Sequence, residues 1–529
     1  MTCQAVFMGL LGLLVFWGAG CGKREPKPVD VASLEKPAVE EQALLPATQK
    51  LTRKSPVDGM TLTASVTLPD GYDNSHLRPL VVVLPGTPFP VTLSAGQALV
   101  ARLENVRPAS CPSWLLQADA LNMMEYLVAN CAVEPRKVFL VASGVTGLEF
   151  ACRQAARLAG AYLSFPGEET TYDHTLPLRN LLNIPVYLDK TQGKMPAAAL
   201  LEVEKYLQNA GAVRLMAPDY LLGERTTEAS VNQAFLGLGS QTEVRERTIW
   251  EASSLAEGTA WWLKAEEFQQ AGKPAVISAA PTGDADSRRR WALRTRNLKA
   301  FSVDSSCGEL AGEKILFLQV DGFYVPVRTG MGWTKLLREE NGWRVVRQPY
   351  APLTKSAQCE GPLWRVLARP FLLVTGSAVP ERAALWRKAA EAFAEGWQRR
   401  TGVRPEIQMD AAVTPEMLDG RNLLLFGSPN DNLLTETLLE NDATFLRELF
   451  QEVPEESRAD ESLSAVALHP AGVLSPGCLA AVLVANGKEA IADSWKPLDE
   501  ELSVDYVIRS VQFKKSGCFQ ADWKIHQPQ

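Results

Sequence analysis

The segment "VFLVASGVTGLEFA" at residues 138–151 joins an apolar strand-like run to a helical pattern through a glycine-bearing turn. A strand-to-helix turn this sharp needs small residues two positions before and two positions after its centre. Centring the turn on Ser143 would put a valine at each of these positions, whereas centring it on Gly144 puts an alanine and a threonine there, followed by a glycine. The second frame is sterically easier, so we expect Gly144 at the centre of the turn.

Residues 55–222 alternate strand-like runs with helical patterns of ten to fifteen residues, which predicts a parallel sheet covered on both faces. Ligands of such sheets bind at the carboxyl ends of the strands. The loops "LPGT" (84–87) and "SGVTG" (143–147) would both lie there. The predicted strand runs cover 78–87, which ends in Pro-Gly, 138–141, 184–189 and 212–218, and the predicted helices cover 110–130, 147–159 and 197–211.

Three segments of this region resemble secreted α/β-hydrolases of the esterase, polyhydroxybutyrate-depolymerase-like and prolyl-oligopeptidase-like families. "LPDGYDNSHLRPLVVVLPGT" (68–87) is similar to their "LPxGYD…PLVVxLHG" opening, and "RKVFLVASGVTGLEFACRQAARLAG" (136–160) is similar to their elbow strand and helix. "LLNIPVYLDKTQGKMP" (181–196) is similar to their "IPVYxxHGxxDxxVP". The resemblance implies an α/β-hydrolase-like domain with its serine nucleophile in the strand-to-helix turn at residues 143–147, which we call the elbow.

The residues that the resemblance would make catalytic are missing from their positions. Gly144 stands in the nucleophile's place in the favoured frame, and Gln192 stands in the place of the acid. The segment 211–230, where the family carries its histidine, contains none. A serine nucleophile needs a neighbouring base and a group that orients that base. We therefore expect a catalytically inactive domain that keeps vestiges of the site.

Two features keep an active enzyme open as an alternative. A rearranged triad could use Ser143 with Asp189, which ends the predicted strand, and a histidine from elsewhere in the chain, such as His174 or His469. The family's oxyanion loop "LHG" is "LPG" here, and proline has no N–H to donate. Gly86 and Thr87 are the remnant of that loop and could still donate their N–H groups.

The N-terminus carries export and anchoring signals. Residues 1–20 contain an apolar run that suits a signal peptide and is too short for a spanning helix. Small residues before Cys21 resemble a bacterial lipobox, which implies lipidation of Cys21; ordinary secretory cleavage is the alternative. Residues 21–54 have the composition of a solvated tether. We expect a periplasm-facing envelope protein, with the outer membrane favoured because Gly22, not aspartate, follows the cysteine.

Composition limits the partners and cofactors. The net charge of −7 gives no electrostatic reason to expect nucleic acid, and the membrane contact would be the lipid anchor alone. The four histidines are far apart, and no CxxC motif occurs, so we expect no metal and no other cofactor. The ligand stays open among a small molecule, a peptide and a polymer. Seven cysteines follow Cys21, so at least one thiol would stay free within a chain.

The rest of the chain divides in two. Residues 223–360 predict a β-rich middle region with hairpins at Asp321-Gly322 and Asn341-Gly342, although the segment 247–269 has a helix-like end. Residues 361–529 predict a second, smaller α/β domain. Its "PFLLVTGS", "NLLLFGSPNDN" and "GCFQADW" resemble the C-terminal region attached to secreted prolyl-oligopeptidase-like hydrolases. That resemblance implies common ancestry and assigns no catalytic residue.

The leading hypothesis is therefore an envelope lipoprotein with an inactive α/β-hydrolase scaffold and a binding or structural role. The second is an active serine esterase or peptidase that uses Ser143. The third is a carbohydrate- or surface-binding protein that uses the aromatic middle region, including Trp261-Trp262. Paired aromatic residues more often pack in a core, so the third needs support from the structure.

Overall fold

The first sheet of the chain contains eight strands and presents the elbow at its carboxyl edge. The strand order is β1-β2-β4-β3-β5-β6-β7-β8, in which β1–β2 and β2–β4 are antiparallel and the remaining pairs are parallel. The strands are β1 (Thr48–Lys54), β2 (Thr61–Thr67), β3 (Arg78–Val83), β4 (Leu99–Leu103), β5 (Val133–Ser143), β6 (Gly160–Ser164), β7 (Val186–Asp189) and β8 (Leu215–Met216). The expected mixture of parallel strands and helices is therefore present.

This computed structural model describes a defined set of residues, and all of them fall within one compact unit, Ala47–Gln529. The described residues are 48–69, 71–73, 75–87, 98–104, 106–165, 176–189, 198–209, 215–216, 247–282, 290–307, 315–346, 355–440, 442 and 444–525.

Among the described residues, three helices accompany the first sheet: α1 (Ser113–Asn130), α2 (Gly144–Gln154) and α3 (Ala198–Asn209). The central strands read as continuous runs of Val, Leu and Ala because both sheet faces are buried. Helix α2 begins three residues earlier than the periodicity predicts, since Gly144 itself starts it. The strand before it extends to Ser143, two residues beyond the predicted end.

Two five-stranded sheets form the middle region, as the β-rich pattern predicts. Their orders are β10-β11-β14-β17-β18 and β16-β15-β13-β12-β9. The strands are β9 (Thr248–Ala252), β10 (Thr259–Ala260), β11 (Leu263–Phe268), β12 (Ala275–Thr282), β13 (Arg290–Arg296), β14 (Leu298–Asp304), β15 (Ile315–Val320), β16 (Phe323–Arg328), β17 (Trp333–Glu339) and β18 (Gly342–Val346).

The helix-like end expected in segment 247–269 is wrong, because residues Leu263–Phe268 form strand β11. Antiparallel pairing with β14 alternates buried and half-buried positions there, and this tertiary pairing overrides the local helical composition. Trp262 is fully buried, with its ring centroid 5.1 Å from that of Trp291. Trp262 and Trp291 therefore pack against each other in the core, so Trp262 gives no support to a carbohydrate platform.

The C-terminal region is a second α/β layer with a seven-stranded sheet of order β20-β19-β21-β23-β22-β24-β25. Its strands are β19 (Phe371–Thr375), β20 (Ile407–Met409), β21 (Asn422–Phe426), β22 (Ser464–Pro470), β23 (Leu479–Ala485), β24 (Tyr506–Arg509) and β25 (Lys514–Gly517). Its helices are α4 (Trp364–Leu367), α5 (Pro380–Thr401), α6 (Pro415–Leu418), α7 (Leu433–Leu439), α8 (Phe445–Gln451), α9 (Lys488–Asp493) and α10 (Pro497–Glu500). Helix α5 buries Trp386, Phe393 and Trp397, which belong to the apolar stripe that its periodicity predicts.

Polar side chains join the three regions. The amides of Asn180 and Asn183, which follow the first sheet's β6, exchange hydrogen bonds with the backbone of β9 at Glu251 and Ile249. The carboxylate of Glu360 accepts hydrogen bonds from N–H groups of the middle region. These contacts join the three regions of the chain.

Within the described ranges, no helix has both the length and the apolar character that crossing a bilayer requires. The same residues contain no group of three His, Cys, Asp or Glu side chains arranged to hold a metal ion. The seven cysteines after Cys21 are all free thiols.

Candidate functional site

The elbow turn is centred on Gly144. Its φ is +71°, in the left-handed region, whereas Ser143 is extended with φ −129° and ψ 154°. A residue with a side chain is strained in the left-handed conformation, and glycine adopts it at little cost. Of the two sequence frames, the structure therefore adopts the one that puts glycine at the sharpest point of the turn.

Strand β5 and helix α2 approach each other closely at Ala142 and Gly147. A Cβ atom added to Gly147 would lie 2.7 Å from Ala142 Cβ and 3.3 Å from the Ala142 carbonyl carbon. Centring the turn on Gly144 predicts small residues at positions 142 and 146. In the structure, the second position that needs a small residue is 147 and not 146. Gly147 lies about one helical turn into α2, which begins at Gly144.

Ser143 and the loop at residues 84–87 meet at the carboxyl edge of the first sheet. Ser143 Oγ donates a hydrogen bond to the carbonyl oxygen of Gly86 at 3.2 Å. The N–H and the hydroxyl of Thr87 both donate to the carbonyl oxygen of Leu84, which closes the loop on itself. The Ser143 hydroxyl thus has a carbonyl acceptor, which cannot take up its proton as a base would.

Asp189 ends β7 at the same edge of the sheet. In the parallel register Ser143 pairs with Ser164 and Ser164 pairs with Asp189, so the three backbones form a row across β5, β6 and β7. At roughly 4.8 Å per strand, Ser143 and Asp189 are about 10 Å apart at Cα. Ser164 is fully buried, and its hydroxyl has no hydrogen-bond partner among the described residues. No sequence motif points to Ser164.

Neither histidine in the described part of the chain is near Ser143. His76 precedes β3, at the opposite edge of the sheet from the elbow, and its Nδ1 lies 3.0 Å from Asp73 Oδ1. His469 is on β22 of the C-terminal sheet, where Nδ1 lies 2.7 Å from the Pro470 carbonyl oxygen and burial lowers its pKa. Gln192, His174 and Cys21 lie outside the described residues.

A cavity of about 490 Å³ opens beside the elbow. It reaches from Ser143 and Gly144, along the oxyanion-loop remnant at Gly86, to the space between α1 and the strands β2 and β4. Such a volume is within the range of small-molecule sites in proteins. Its walls are mainly apolar and include Leu62, Leu84, Leu103, Leu116, Ala120 and Met123.

One buried polar side chain in this cavity lacks a partner. Gln117 of α1 is 8% exposed, and its Nε2 atom has no hydrogen-bond partner among the described residues. Helix α2 also begins at the cavity without a side-chain cap, since Ser143 makes no capping hydrogen bond. Buried polar groups are usually satisfied, so an unpaired amide and an uncapped helix end together suit a ligand with a hydrogen-bonding head group.

A buried ion cluster closes the far side of the cavity. The Arg107 guanidinium, with a side chain only 1% exposed, binds both oxygens of Asp58 at 2.8 and 3.0 Å and also binds Asp119. It donates to the Thr401 carbonyl oxygen at the end of α5 at 3.2 Å as well. Burial opposes its charge, but the two carboxylates outweigh burial and raise the pKa of Arg107 above its usual value. Sequence spacing gave no signal for this cluster.

No family model matches the sequence. No curated protein matches it either. Similar solved structures include a thermostable esterase (15% identity, TM-score 0.27), a CE1 ferulic acid esterase from Anaeromyces mucronatus (14%, 0.29) and an isopeptidase (14%, 0.28). The similarity covers 36%, 38% and 36% of this chain and 60%, 91% and 39% of those chains, respectively. The chain thus spans less than two thirds of the thermostable esterase, and the likeness is confined to about a third of this protein.

Proposed function

We propose that the protein is an envelope lipoprotein whose first sheet and helices are an inactive α/β-hydrolase scaffold that binds a small molecule without hydrolysing it. The observation that carries the proposal is Gly144 at φ +71°, in the place where an elbow nucleophile would stand. A glycine there relaxes the turn and supplies no attacking atom.

The surroundings of Ser143 support the loss of catalysis. Nucleophilic attack by a serine needs a base within about 3 Å to take its proton. Ser143 Oγ instead donates to a carbonyl oxygen, and His76 belongs to the other edge of the sheet, more than about 20 Å along the strands. His469 has partners in its own sheet.

The cavity supports a role in binding. Its apolar walls suit an apolar body of moderate size, and the Gln117 amide and the start of α2 suit a carbonyl or carboxylate head group. A helix N-terminus attracts such oxygens because its first N–H groups lack partners inside the helix. The ligand class that fits is therefore a compact apolar molecule with an acyl oxygen.

Short p-nitrophenyl esters test the proposal, because they carry both an acyl oxygen and an apolar body. We expect wild type, Ser143→Ala and Gly144→Ser to hydrolyse them at the background rate, since neither variant gains a base. We also expect the esters to raise the melting temperature of the wild type. The cavity-filling variant Ala120→Trp should abolish that shift, because Ala120 lines the cavity.

Two outcomes would contradict the proposal. Wild-type turnover that disappears in Ser143→Ala would identify an active serine hydrolase with a rearranged triad. An equal melting shift in wild type and Ala120→Trp would remove the cavity as the binding site. Covalent labelling by a fluorophosphonate gives an independent check, since a protein without an activated serine should stay unlabelled.

Lipidation of Cys21 is the basis of the proposed location. We expect cells fed a radioactive fatty acid to label the wild-type protein and to leave Cys21→Ala unlabelled, because alanine offers no thiol for the lipid. Cys111→Ala is the control, since Cys111 is a buried thiol of the folded body. Labelling of Cys21→Ala at the wild-type level would end this part of the proposal.

A further inference from the structure

A second cavity, of about 530 Å³, lies where the three regions meet. Arg153 of α2 lines it from the first region, Ser254 and Phe268 from the middle region, and Trp364 from the C-terminal region, with Glu360 at the boundary between the last two. It shares no lining residue with the cavity at the elbow. Nothing in the sequence pattern or in the resemblance to hydrolases assigns it a role.

The hydroxyl of Ser254, which lines this cavity, does not make the capping hydrogen bond expected at its position. Ser254 is the N-cap residue of a short 3-10 helix, Leu255–Glu257, and an N-cap serine normally accepts the first N–H groups of its helix. Here Glu360 accepts them instead, from Leu255 at 2.8 Å and Ala256 at 2.7 Å. Ser254 is 5% exposed, and its Oγ has no partner among the described residues.

The cavity also has more negative than positive charge close to its unpaired groups. Arg153 is shared between two carboxylates, Glu257 at 2.6 Å and Glu149 at 3.1 Å. The second oxygen of Glu257, Oε2, is buried and has no partner within the described ranges. The lysine on the cavity wall, Lys355, is already paired with Asp505. One carboxylate charge beside Ser254 is therefore left over.

From these contacts we propose that the junction cavity binds a small organic ammonium ion. The ammonium N–H groups donate to Ser254 Oγ and to Glu257 Oε2, for which the described residues supply no donor. The apolar body packs against Phe268 and Trp364, and an aromatic face near a cation adds attraction. A bound cation would also balance the second carboxylate on Arg153.

Glu360 makes the binding depend on pH. Burial raises its pKa to about 7, and the cations acting on it are Arg365, at 3.9 Å, and Lys355. A bound ammonium favours ionised Glu360, so affinity should be highest above pH 7 and should fall as the pH drops through 7. An alkylamine stays protonated throughout, since its pKa is close to that of lysine, about 10.4. Binding should therefore release a proton near pH 7.

The test uses the full chain and isothermal titration calorimetry with n-butylamine, and with n-butanol as its uncharged counterpart. We expect n-butylamine to bind with a Kd on the order of 1 mM at pH 8, as befits five non-hydrogen atoms. The affinity for n-butanol should be at least about tenfold weaker, since it lacks the charge-assisted hydrogen bonds. Equal affinities for the two compounds, or no n-butylamine binding up to about 50 mM, would overturn the proposal.

Matched variants locate the site. Glu257→Gln should weaken n-butylamine binding at least about tenfold, and Ser254→Ala about threefold to tenfold. Glu339→Gln is the control, because Glu339 is an exposed carboxylate paired with an arginine. If Glu257→Gln does not fold, Ser254→Ala decides alone. Wild-type affinity in Ser254→Ala, or an equal loss in Glu339→Gln, would show that the amine binds elsewhere.

Discussion

Replacing Arg107 by alanine should lower the free energy of unfolding by about 3–5 kcal/mol, because it leaves Asp58 and Asp119 buried without their cation. The loss comes mainly from the desolvated carboxylates and only partly from the missing hydrogen bonds. The contact of Arg107 with the Thr401 carbonyl oxygen disappears as well, which weakens the junction between the first and C-terminal regions.

Urea unfolding followed by tryptophan fluorescence measures this effect. Arg294→Ala is the matched control, since Arg294 is exposed on β13 and has no ion-pair partner among the described residues. Its free energy of unfolding should stay within about 0.5 kcal/mol of the wild type. Coincident unfolding curves for Arg107→Ala and Arg294→Ala would show that the buried cluster does not stabilise the fold.

Gly147→Ala should destabilise the protein by about 1–3 kcal/mol, because the new Cβ would collide with Ala142 at 2.7 Å. The neighbouring atom belongs to the end of β5 rather than to a flexible side chain, so the helix has to move. The movement would shift the start of α2 and reshape the cavity at the elbow.

Gly396→Ala in α5 is the matched control. Gly396 is also helical, but a Cβ there would come no closer than 4.0 Å to its nearest neighbours, Arg399 and Trp495. Alanine should therefore stabilise this helix by up to about 1 kcal/mol, because glycine loses more backbone entropy on folding. The two substitutions should move the melting temperature in opposite directions. A rise for both would mean that the elbow has room for a side chain.

The elbow was predictable from sequence because its constraints are local. The apolar run, the glycine turn and the helical spacing lie within fourteen residues. The small side chains that the turn requires occur in the same segment. Steric crowding alone predicts glycine rather than serine at the centre of the turn, and Gly144 has a φ of +71°. The β-rich middle region was predictable for a similar reason, since alternation and Asp-Gly or Asn-Gly hairpins act over short distances.

The prediction for residues 263–268 failed where local and long-range preferences compete. The residues "LKAEEF" have the composition of a helix, and only the pairing with β14 makes them a strand. A single sequence does not contain the partner strand's register, so the preference of the isolated segment gives the wrong answer.

The residue pattern alone predicts the strand–turn–helix at the elbow and the order of the α/β, β-rich and α/β regions. Which polar groups are buried together depends on the tertiary packing. Arg107 contacts Asp58 and Thr401 across 49 and 294 residues, and Glu360 caps the 3-10 helix by accepting from Leu255, 105 residues away in sequence. Burial and charge pairing over such separations depend on how complete sheets pack, which no local pattern of residues records.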